Sequence, residues 1–575
     1  MLSVAGAAAW IFLRETRGAG GLRFALLGGM FAAGAGSSFT LPRASPPARA
    51  RGAPRASMEG DYVSSAACRS CHPSEYASWH RSFHRTMTQT ATPDVVRASV
   101  PAALEQDGAV YGVVKRGDRL LSTSPGEGER PILLVTGSHN YEAFWTEGKR
   151  EGELSMFPFV YLFREARWVP RRDVFLQPPD APSHAVRWNS NCIQCHSVAG
   201  RPGHDEEADR FRTRTAELGI ACEACHGPGG PHAARQRDPL TRYASHGGPD
   251  PSIIDPRRLD AERASAVCGQ CHAYAFPTDE GEWWENGYST RFRPGDALAP
   301  SRVLLFRDEL GKTGSPVLEA SLESLYWNDG TIRVGGREYN GLARSPCFER
   351  GQGDRRLSCL SCHSMHASDP EDQLRRDRTG NDVCLACHEG LRRNVAAHTH
   401  HEEGGVGSAC VSCHMPKTTY ALLKAIRSHR IESPSVPLAM ATGRPTACNL
   451  CHLDRTLRWT DDALSTWFAR PRTALGADDE RVPASVVAIL RGDAAVRALV
   501  AANFGDAEAL AASGDDWERP ILDRLARDPY AAVRLIAARS ALALPPAPRT
   551  PPLVDDATLD ALSRARDDRA ITISE

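Results

Sequence analysis

Eight times the chain repeats Cys-x-x-Cys-His, and the eight copies use sixteen of its 17 cysteines. The cysteine pairs are Cys68/Cys71, Cys192/Cys195, Cys222/Cys225, Cys268/Cys271, Cys359/Cys362, Cys384/Cys387, Cys410/Cys413 and Cys448/Cys451. Two thiols one helical turn apart can add to the two vinyl groups of one porphyrin. The histidine that follows then faces the iron as its proximal ligand, so each copy reads as a c-type haem attachment site. Structural zinc would ask for four ligands in recognisable pairs and needs no histidine at this offset. A disulfide framework needs no histidine either, and it suits small coreless domains. The expectation is eight covalently attached haems with proximal ligands His72, His196, His226, His272, His363, His388, His414 and His452.

Of the 20 histidines, twelve remain for eight sixth coordination positions. That supply is enough to make every iron bis-histidine and low-spin. His232 follows His226 across Gly227–Pro231, and His366 follows His363 by three residues. Neither ring can easily fold back on its own iron, but each can reach a neighbouring one. His429, His84, His139 and the His398/His400/His401 cluster complete the candidates, with His398 and His401 taken from that cluster. His80 stands one turn before His84 and shares its helical face. His184, His204 and His246 lie in polar, Gly/Pro-rich stretches and read as surface residues. Met87 reads as a packing residue, and Met415 stands too close to His414 to ligate the same iron. The spare Cys347 reads as an inert thiol, since nothing beside it would depress its pKa.

The elements that must position these ligands are modest. Porphyrins fill much of a multihaem core, so the expected fold is mainly short helices and loops around haems, with small antiparallel β inserts. One insert lies between the first two motifs: Val110–Val114 and Arg119–Leu121 flank a Lys-Arg-Gly-Asp turn, followed by Tyr141–Trp145 and Phe157–Trp168. A second carries Asn328-Asp-Gly330, a hairpin-turn signal, within Leu325–Val334. Beyond His452 cysteine and histidine vanish and alanine-rich helical segments begin. Val496-Arg497 and Val533-Arg534 sit in similar segments 37 residues apart, close to the period of paired-helix HEAT repeats. The expected organisation is an export or anchor segment plus disordered linker over 1–57, and a first haem site with its β insert over 58–185. A seven-haem domain over 186–460, an all-α HEAT-like region over 461–545 and a flexible tail over 546–575 follow.

Residues 1–57 carry seven arginines against one acid, Glu15. The apolar run Phe24–Gly36 is nearer the length of a signal-peptide core than of a membrane span. Export with cleavage is therefore expected, with retention as an inner-membrane anchor the alternative. The remaining chain holds 62 basic and 69 acidic residues, a balance of −7. No basic tract interleaved with aromatics is present, which argues against nucleic acid. Acidity of this kind favours docking to a basic patch on a redox partner, soluble in the periplasm or set in its membrane.

Ile220–His232, with its Cys-Glu-Ala-Cys-His-Gly-Pro-Gly-Gly-Pro-His run, resembles the cytochrome c-554/c-552 superfamily of multihaem proteins. The first motif with Glu75, Trp79 and His84 is similar to the opening haem site of that group. Arg344-Ser-Pro, Cys359–His366 and Ser408–Pro416 resemble its doubled-motif members. The resemblance spans about residues 60–455, and it implies that His232 and His366 ligate neighbouring haems. Its motifs are specific for haem and not for a reaction; the leading expectation is a periplasmic carrier passing electrons along mostly bis-histidine haems between redox partners. The C-terminal repeats depart from the small family members and suggest an added docking surface. The superfamily also holds enzymes acting on hydroxylamine, nitrite or tetrathionate at one open haem, which is the alternative function. No Cys-x-x-Cys-Lys variant is present here.

Overall fold

The computed structural model describes residues 52–181, 185–244, 248–312, 316–546 and 552–573. The export segment, His184 and His246 lie outside these residues. Among the described residues no helix is long and apolar enough to cross a membrane.

Between the first and second motifs the chain builds an eight-stranded antiparallel sheet. Its strands are β1 (Thr88–Thr90), β2 (Ala102–Gln106), β3 (Ala109–Arg116), β4 (Arg119–Thr123), β5 (Arg130–Thr136), β6 (Tyr141–Glu147), β7 (Leu154–Leu162) and β8 (Arg167–Pro170). Strands β2 to β8 follow one another as a meander. One edge of β5 is shared, with β4 on Arg130 and Pro131 and β1 on Leu134–Thr136. Side chains alternate across a strand, and here the two sets enter different cores. Phe159 and Tyr161 join Val135, Phe144 and Phe157 on one face, while Val160 and Leu162 join Tyr141, Ala143 and Val169 on the other. The Asn328-Asp-Gly330 turn forms, but only as a tight reversal with a single Tyr326–Ile332 bridge. The helix Pro316–Leu325 claims the residues that would have extended it into a hairpin.

The haem motifs sit on short helices: Ser65–Cys68, Ile193–His196, Cys222–His226, Cys359–Cys362, Asp382–Leu385 and Cys410–His414, with a 3-10 turn at Cys448–Leu450. The fourth motif is the exception, closing the twelve-residue helix α1 (Ala261–His272), which Asp260 caps by accepting from Glu262 and Arg263 N–H. After the last motif come α2 (Leu457–Phe468), α3 (Ala484–Arg491), α4 (Ala494–Asn503), α5 (Ala507–Ser513), α6 (Arg519–Leu525), α7 (Ala531–Ala541) and α8 (Asp556–Arg564). These helices do not form a core of their own. Val486, Leu499, Val533 and Ile536 share one apolar cluster with β6, β7, Trp327 and Tyr420. Polar contacts fix the junction: Arg333 pairs with Asp493, Lys417 with Asp506 at 2.5 Å, and Arg539 grips both oxygens of Glu165.

Three expectations need correction. The tail from residue 552 is not loose: Leu559 and Leu562 of α8 are buried, and Ile573 N–H donates to Leu176 O at 2.7 Å. Its apolar residues are too few to announce themselves, but alternate burial of Ile571 and Ile573 ties the end down. The linker ends earlier than expected, because Arg55–Ala56 pairs in parallel with Arg214–Thr215. His204 is half-buried rather than on the surface, lying between Phe211 and Trp284.

Within the helical region Arg497 is only 2% exposed and donates to both oxygens of Asp528, at 2.6 and 3.1 Å. Removing one partner of a buried ion pair leaves an uncompensated charge, at a cost of about 3–5 kcal/mol. Arg497→Met is therefore expected to lower the denaturant midpoint of the far-UV helical signal. An unchanged midpoint would show that the pair does not support this region.

Candidate functional site

The sheet positions the second motif directly. Trp188 and Ile193, both fully buried, pack against Leu134, Trp145 and Leu154. A polar relay runs through this contact. Trp145 Nε1 donates to Thr136 Oγ1 at 2.9 Å, Thr136 and Thr88 share a 2.8 Å hydroxyl bond, and Thr88 Oγ1 lies 3.3 Å from His196 Nδ1. Gly219 makes the next junction possible. Its φ is +76°, and a Cβ there would fall 2.4 Å from Arg85 O. That close approach lets Gly219 N–H reach His196 O and Ile220 N–H reach His84 O, at 3.0 and 2.9 Å.

Across the molecule the histidines meet in pairs. Ring centroids are 6.2 Å apart for His72 and His232, and 6.3 Å for His226 and His366. They are 6.3 Å apart for His84 and His272 and for His363 and His429. For His398 and His414 the separation is 6.4 Å, and for His401 and His452 it is 6.0 Å. Two imidazoles bound from opposite sides to one metal, at about 2 Å per bond, put their centroids roughly 6 Å apart. The spacing therefore fits a haem iron between each pair. Among the described residues no three His, Cys, Asp or Glu side chains converge as a bare metal site requires, so the zinc alternative finds no geometry.

The outer ring nitrogens are held in the orientation this needs. Nδ1 donates to the carbonyl of Ile254 from His226 (2.7 Å), of Glu432 from His414 (2.9 Å), of Thr399 from His401 (2.6 Å) and of Arg427 from His429 (3.2 Å). His232 Nδ1 donates to Asp250 Oδ2 at 2.9 Å and His272 Nδ1 to Glu338 Oε2 at 2.8 Å. With Nδ1 committed, Nε2 keeps its lone pair for iron. Burial pushes the His84 and His196 pKa down to about 4, so these rings are neutral and able to ligate at ordinary pH. At His272 burial also works downward, but the Glu338 hydrogen bond and charge outweigh it and raise the pKa.

His232, His366, His429, His84, His398 and His401 thus each face a proximal histidine. His139 does not: it lies flat on Phe83 with centroids 4.2 Å apart, and its Nε2 is bonded to Glu371 at 2.9 Å. Its expected role as an iron ligand has no geometry here, because the nitrogen that would bind iron is already taken. His400 stacks on Trp467 and His80 on Tyr76. Among the described residues no imidazole stands opposite His196 or His388. Cys347 is half-buried, and burial raises its pKa, in keeping with an inert thiol. Residues that the sequence did not single out are Glu338, Asp250 and Thr88. Each is remote in sequence from the ring it orients, and no local pattern marks it.

The thiols differ in cover. Cys71 and Cys387 are exposed, whereas the other motif cysteines are half-buried. The reason is local. The helices Ser65–Cys68 and Asp382–Leu385 both stop before the second cysteine of their motif, and the chain then runs along the surface through Cys71–Pro73 and Ala386–Gly390. Thioether formation asks for the Cys-x-x-Cys-His pattern rather than for burial, so Cys71 and Cys387 keep their place in the first and sixth motifs.

The motifs also touch one another in an order that the chain does not follow. Cys68 and Cys222 are hydrogen-bonding neighbours, as are Cys268 and Cys359, and Cys384 and Cys410. Cys195 Sγ lies 3.7 Å from Cys271 O, and Cys413 neighbours Cys448 and Cys451.

With this geometry in hand, comparison with known proteins is informative. The family model described as "Cytochrome c554 and c-prime" matches residues 67–107 and 177–227, and "Doubled CXXCH motif" matches 352–393. A curated relative, the multihaem cytochrome MtrA of Shewanella baltica (strain OS185), is 23% identical over 220 residues. That alignment takes in 36% of this chain and 55% of the relative, so the chain spans about half the length of the curated protein it matches. The outer cell wall cytochrome OcwA overlaps 84% of this chain and all of its own, with 18% identity and a TM-score of 0.49. An undecahaem cytochrome from the S-layer of Carboxydothermus ferrireducens overlaps 88% of this chain and 71% of its own, at 17% identity and a TM-score of 0.36. The octahaem sulfite reductase MccA of Wolinella succinogenes overlaps 67% of this chain and 60% of its own, at 14% identity and a TM-score of 0.29.

The pairing can be tested ring by ring. In the holoprotein, His398→Ala is expected to convert one low-spin ferric centre to high-spin and to let the reduced form bind carbon monoxide there. His139→Ala is expected to leave the low-spin signal whole. A His398→Ala protein that keeps all its low-spin signal, or a His139→Ala protein that loses part of it, would contradict the assignment.

Proposed function

We propose, on the premise that this chain is a multihaem c-type cytochrome, that it is an exported octahaem electron carrier of the periplasm. It binds eight haems covalently through its eight motifs and passes electrons between redox proteins, soluble or membrane-bound. The haems supply one-electron exchange at iron. The chain's own residues set where that exchange occurs: paired imidazoles would hold six of the irons, and carbonyls or carboxylates orient most of those imidazoles. The single observation that carries the reading is the set of six imidazole pairs at 6.0–6.4 Å, since two strong axial ligands leave an iron no place for substrate.

The C-terminal helices serve this reading as a HEAT-like pair of units, with α3 against α4, α6 against α7, and α4 against α7 joining them. Their inner face is spent on the haem region and the sheet, and we assign their outer face to partner docking.

A second reading is a multihaem oxidoreductase for a small nitrogen or sulfur compound such as nitrite, hydroxylamine or tetrathionate. It is favoured by His196 and His388, for which no opposing imidazole stands among the described residues. His196 is the better placed, because the relay through Thr88 and Thr136 holds its ring.

Low-temperature EPR of the oxidised holoprotein, with spin quantitation over eight haems, separates the two. The carrier is expected to give a spectrum that nitrite, hydroxylamine and tetrathionate leave unchanged. A high-spin signal that any of them perturbs would hand the function to the second reading.

A further inference from the structure

Helix α1 touches more haem motifs than a position in the middle of a linear series needs. Within its last turn Cys271 Sγ lies 3.9 Å from Gln194 O of the second motif, and Cys195 Sγ lies 3.7 Å from Cys271 O. Gln270 Nε2 donates to Ala224 O of the third motif at 2.8 Å. One turn earlier, Ser265 Oγ accepts from Cys359 N–H of the fifth motif at 3.3 Å. The ring opposite His272 is His84, which the segment after the first motif supplies. The second, third and fifth sites thus all converge on the fourth. Beyond the fifth, Cys384 hydrogen-bonds to Cys410, and the Cys362 and Cys384 thiols, like those of Cys413 and Cys448, lie within electrostatic range of each other. From the third, contacts lead back to the first, through Cys68 and Cys222. Besides α1, the second site meets the segment that leads into the third motif, where Gly219 N–H donates to His196 O at 3.0 Å.

At this junction the proximal imidazole has an unusual partner. His272 Nδ1 is 2.8 Å from a Glu338 carboxylate oxygen. The three sites that meet there have weaker acceptors on their proximal rings: the Thr88 hydroxyl near His196, the Ile254 carbonyl for His226, and backbone groups of Gln373 and Asp372 for His363. Glu338 is held for this contact. Gly336 N–H donates to its second oxygen at 2.8 Å, and Asn340, two residues on, accepts from Tyr274 N–H at 2.7 Å and donates to Leu305 O at 2.9 Å. The motif makes room for it as well. Gly269 lies between Cys268 and Gln270, and a Cβ there would come within 2.8 Å of Tyr339 and 2.9 Å of Leu298.

A carboxylate that draws on the Nδ1 proton gives the ring imidazolate character and makes Nε2 a stronger donor. The ferric state gains more from this than the ferrous state, so the reduction potential falls. We propose that the fourth haem site is the junction at which the second, third and fifth sites meet. Glu338 is the positioning residue that sets the junction's potential below those of the three sites meeting there. Electrons moving between those sites through the junction then cross an uphill step.

The proposal rests on the reading that a haem is attached at Cys268–His272, and the experiment separates the two. Intact mass of the purified holoprotein and of Glu338→Gln counts the haems. Potentiometric titration followed by EPR then resolves their midpoints. With all haems attached, Glu338→Gln is expected to shift one midpoint upward while the rest stay put. Glu338→Asp is expected to return it part of the way. His84→Met, which alters the opposite ligand of the same iron, is expected to perturb that same signal. No midpoint shift, a drift of all midpoints together, or a shift in a signal that His84→Met leaves alone would overturn the proposal. Should Glu338→Gln fail to retain its haem, Glu338→Asp carries the test, because lengthening the hydrogen bond is still expected to raise that one midpoint. A wild-type protein without haem at Cys268 would instead sink the underlying attachment reading.

Discussion

The structure depends on a spacing that no single segment can provide. Two imidazoles must stand about 6 Å apart on one axis, and the covalent motif supplies only one of them. The other comes from elsewhere in the chain, so each of the six imidazole pairs brings two separate segments together. His232 lies just after the third motif yet faces the first, His366 lies just after the fifth yet faces the third, and His84 crosses from the first motif to the fourth. Interlocking of this kind brings short helices from separate parts of the chain together.

The remaining elements work mainly as supports for that lattice. The eight-stranded sheet uses one face to seat Trp188 and Ile193, which holds the second motif, and the relay from Trp145 to Thr88 reaches the His196 ring. The C-terminal helices share their apolar cluster with the sheet and the second insert. Ion pairs buried at that junction, such as Arg333–Asp493, carry a desolvation cost and contribute placement more than net stability. Parts of the chain that carry no motif thus help to place the parts that do.

Differences among the sites lie in the atoms behind the ligands. Most axial rings lean on backbone carbonyls, which orient them with little charge. His232 and His272 lean on carboxylates, and only His272 does so at a point where several motifs converge. An otherwise uniform set of ligands can in this way be given unequal potentials without changing any residue that touches iron.

The ligand inventory was legible in the sequence because covalent attachment demands a strictly local pattern, and eight copies of it leave one cysteine over. The β insert was legible in the Val110–Leu121 alternation and its turn, which formed as β3 and β4. How deeply each motif sits was not legible: Cys71 and Cys387 carry the same pattern as the half-buried thiols, and their exposure follows from where neighbouring segments pack. Distal histidines could be nominated from their place beside a motif but not matched to an iron, because matching is a long-range distance and not a pattern. His139 shows the limit: its context resembled the others, and only the tertiary structure showed its Nε2 committed to Glu371 and its ring to Phe83. The buried end of the chain escaped notice for a similar reason, since two isoleucines at Ile571 and Ile573 carry no signal until Leu176 and Tyr530 are brought beside them. Glu338 is 66 residues from His272. Sequence alone marked the residues of the Cys-x-x-Cys-His motifs, because that pattern is set by neighbours in the chain. Which histidine completes each pair, and which site becomes the junction, was decided by folding, because both depend on separations of a few ångströms between residues far apart in sequence.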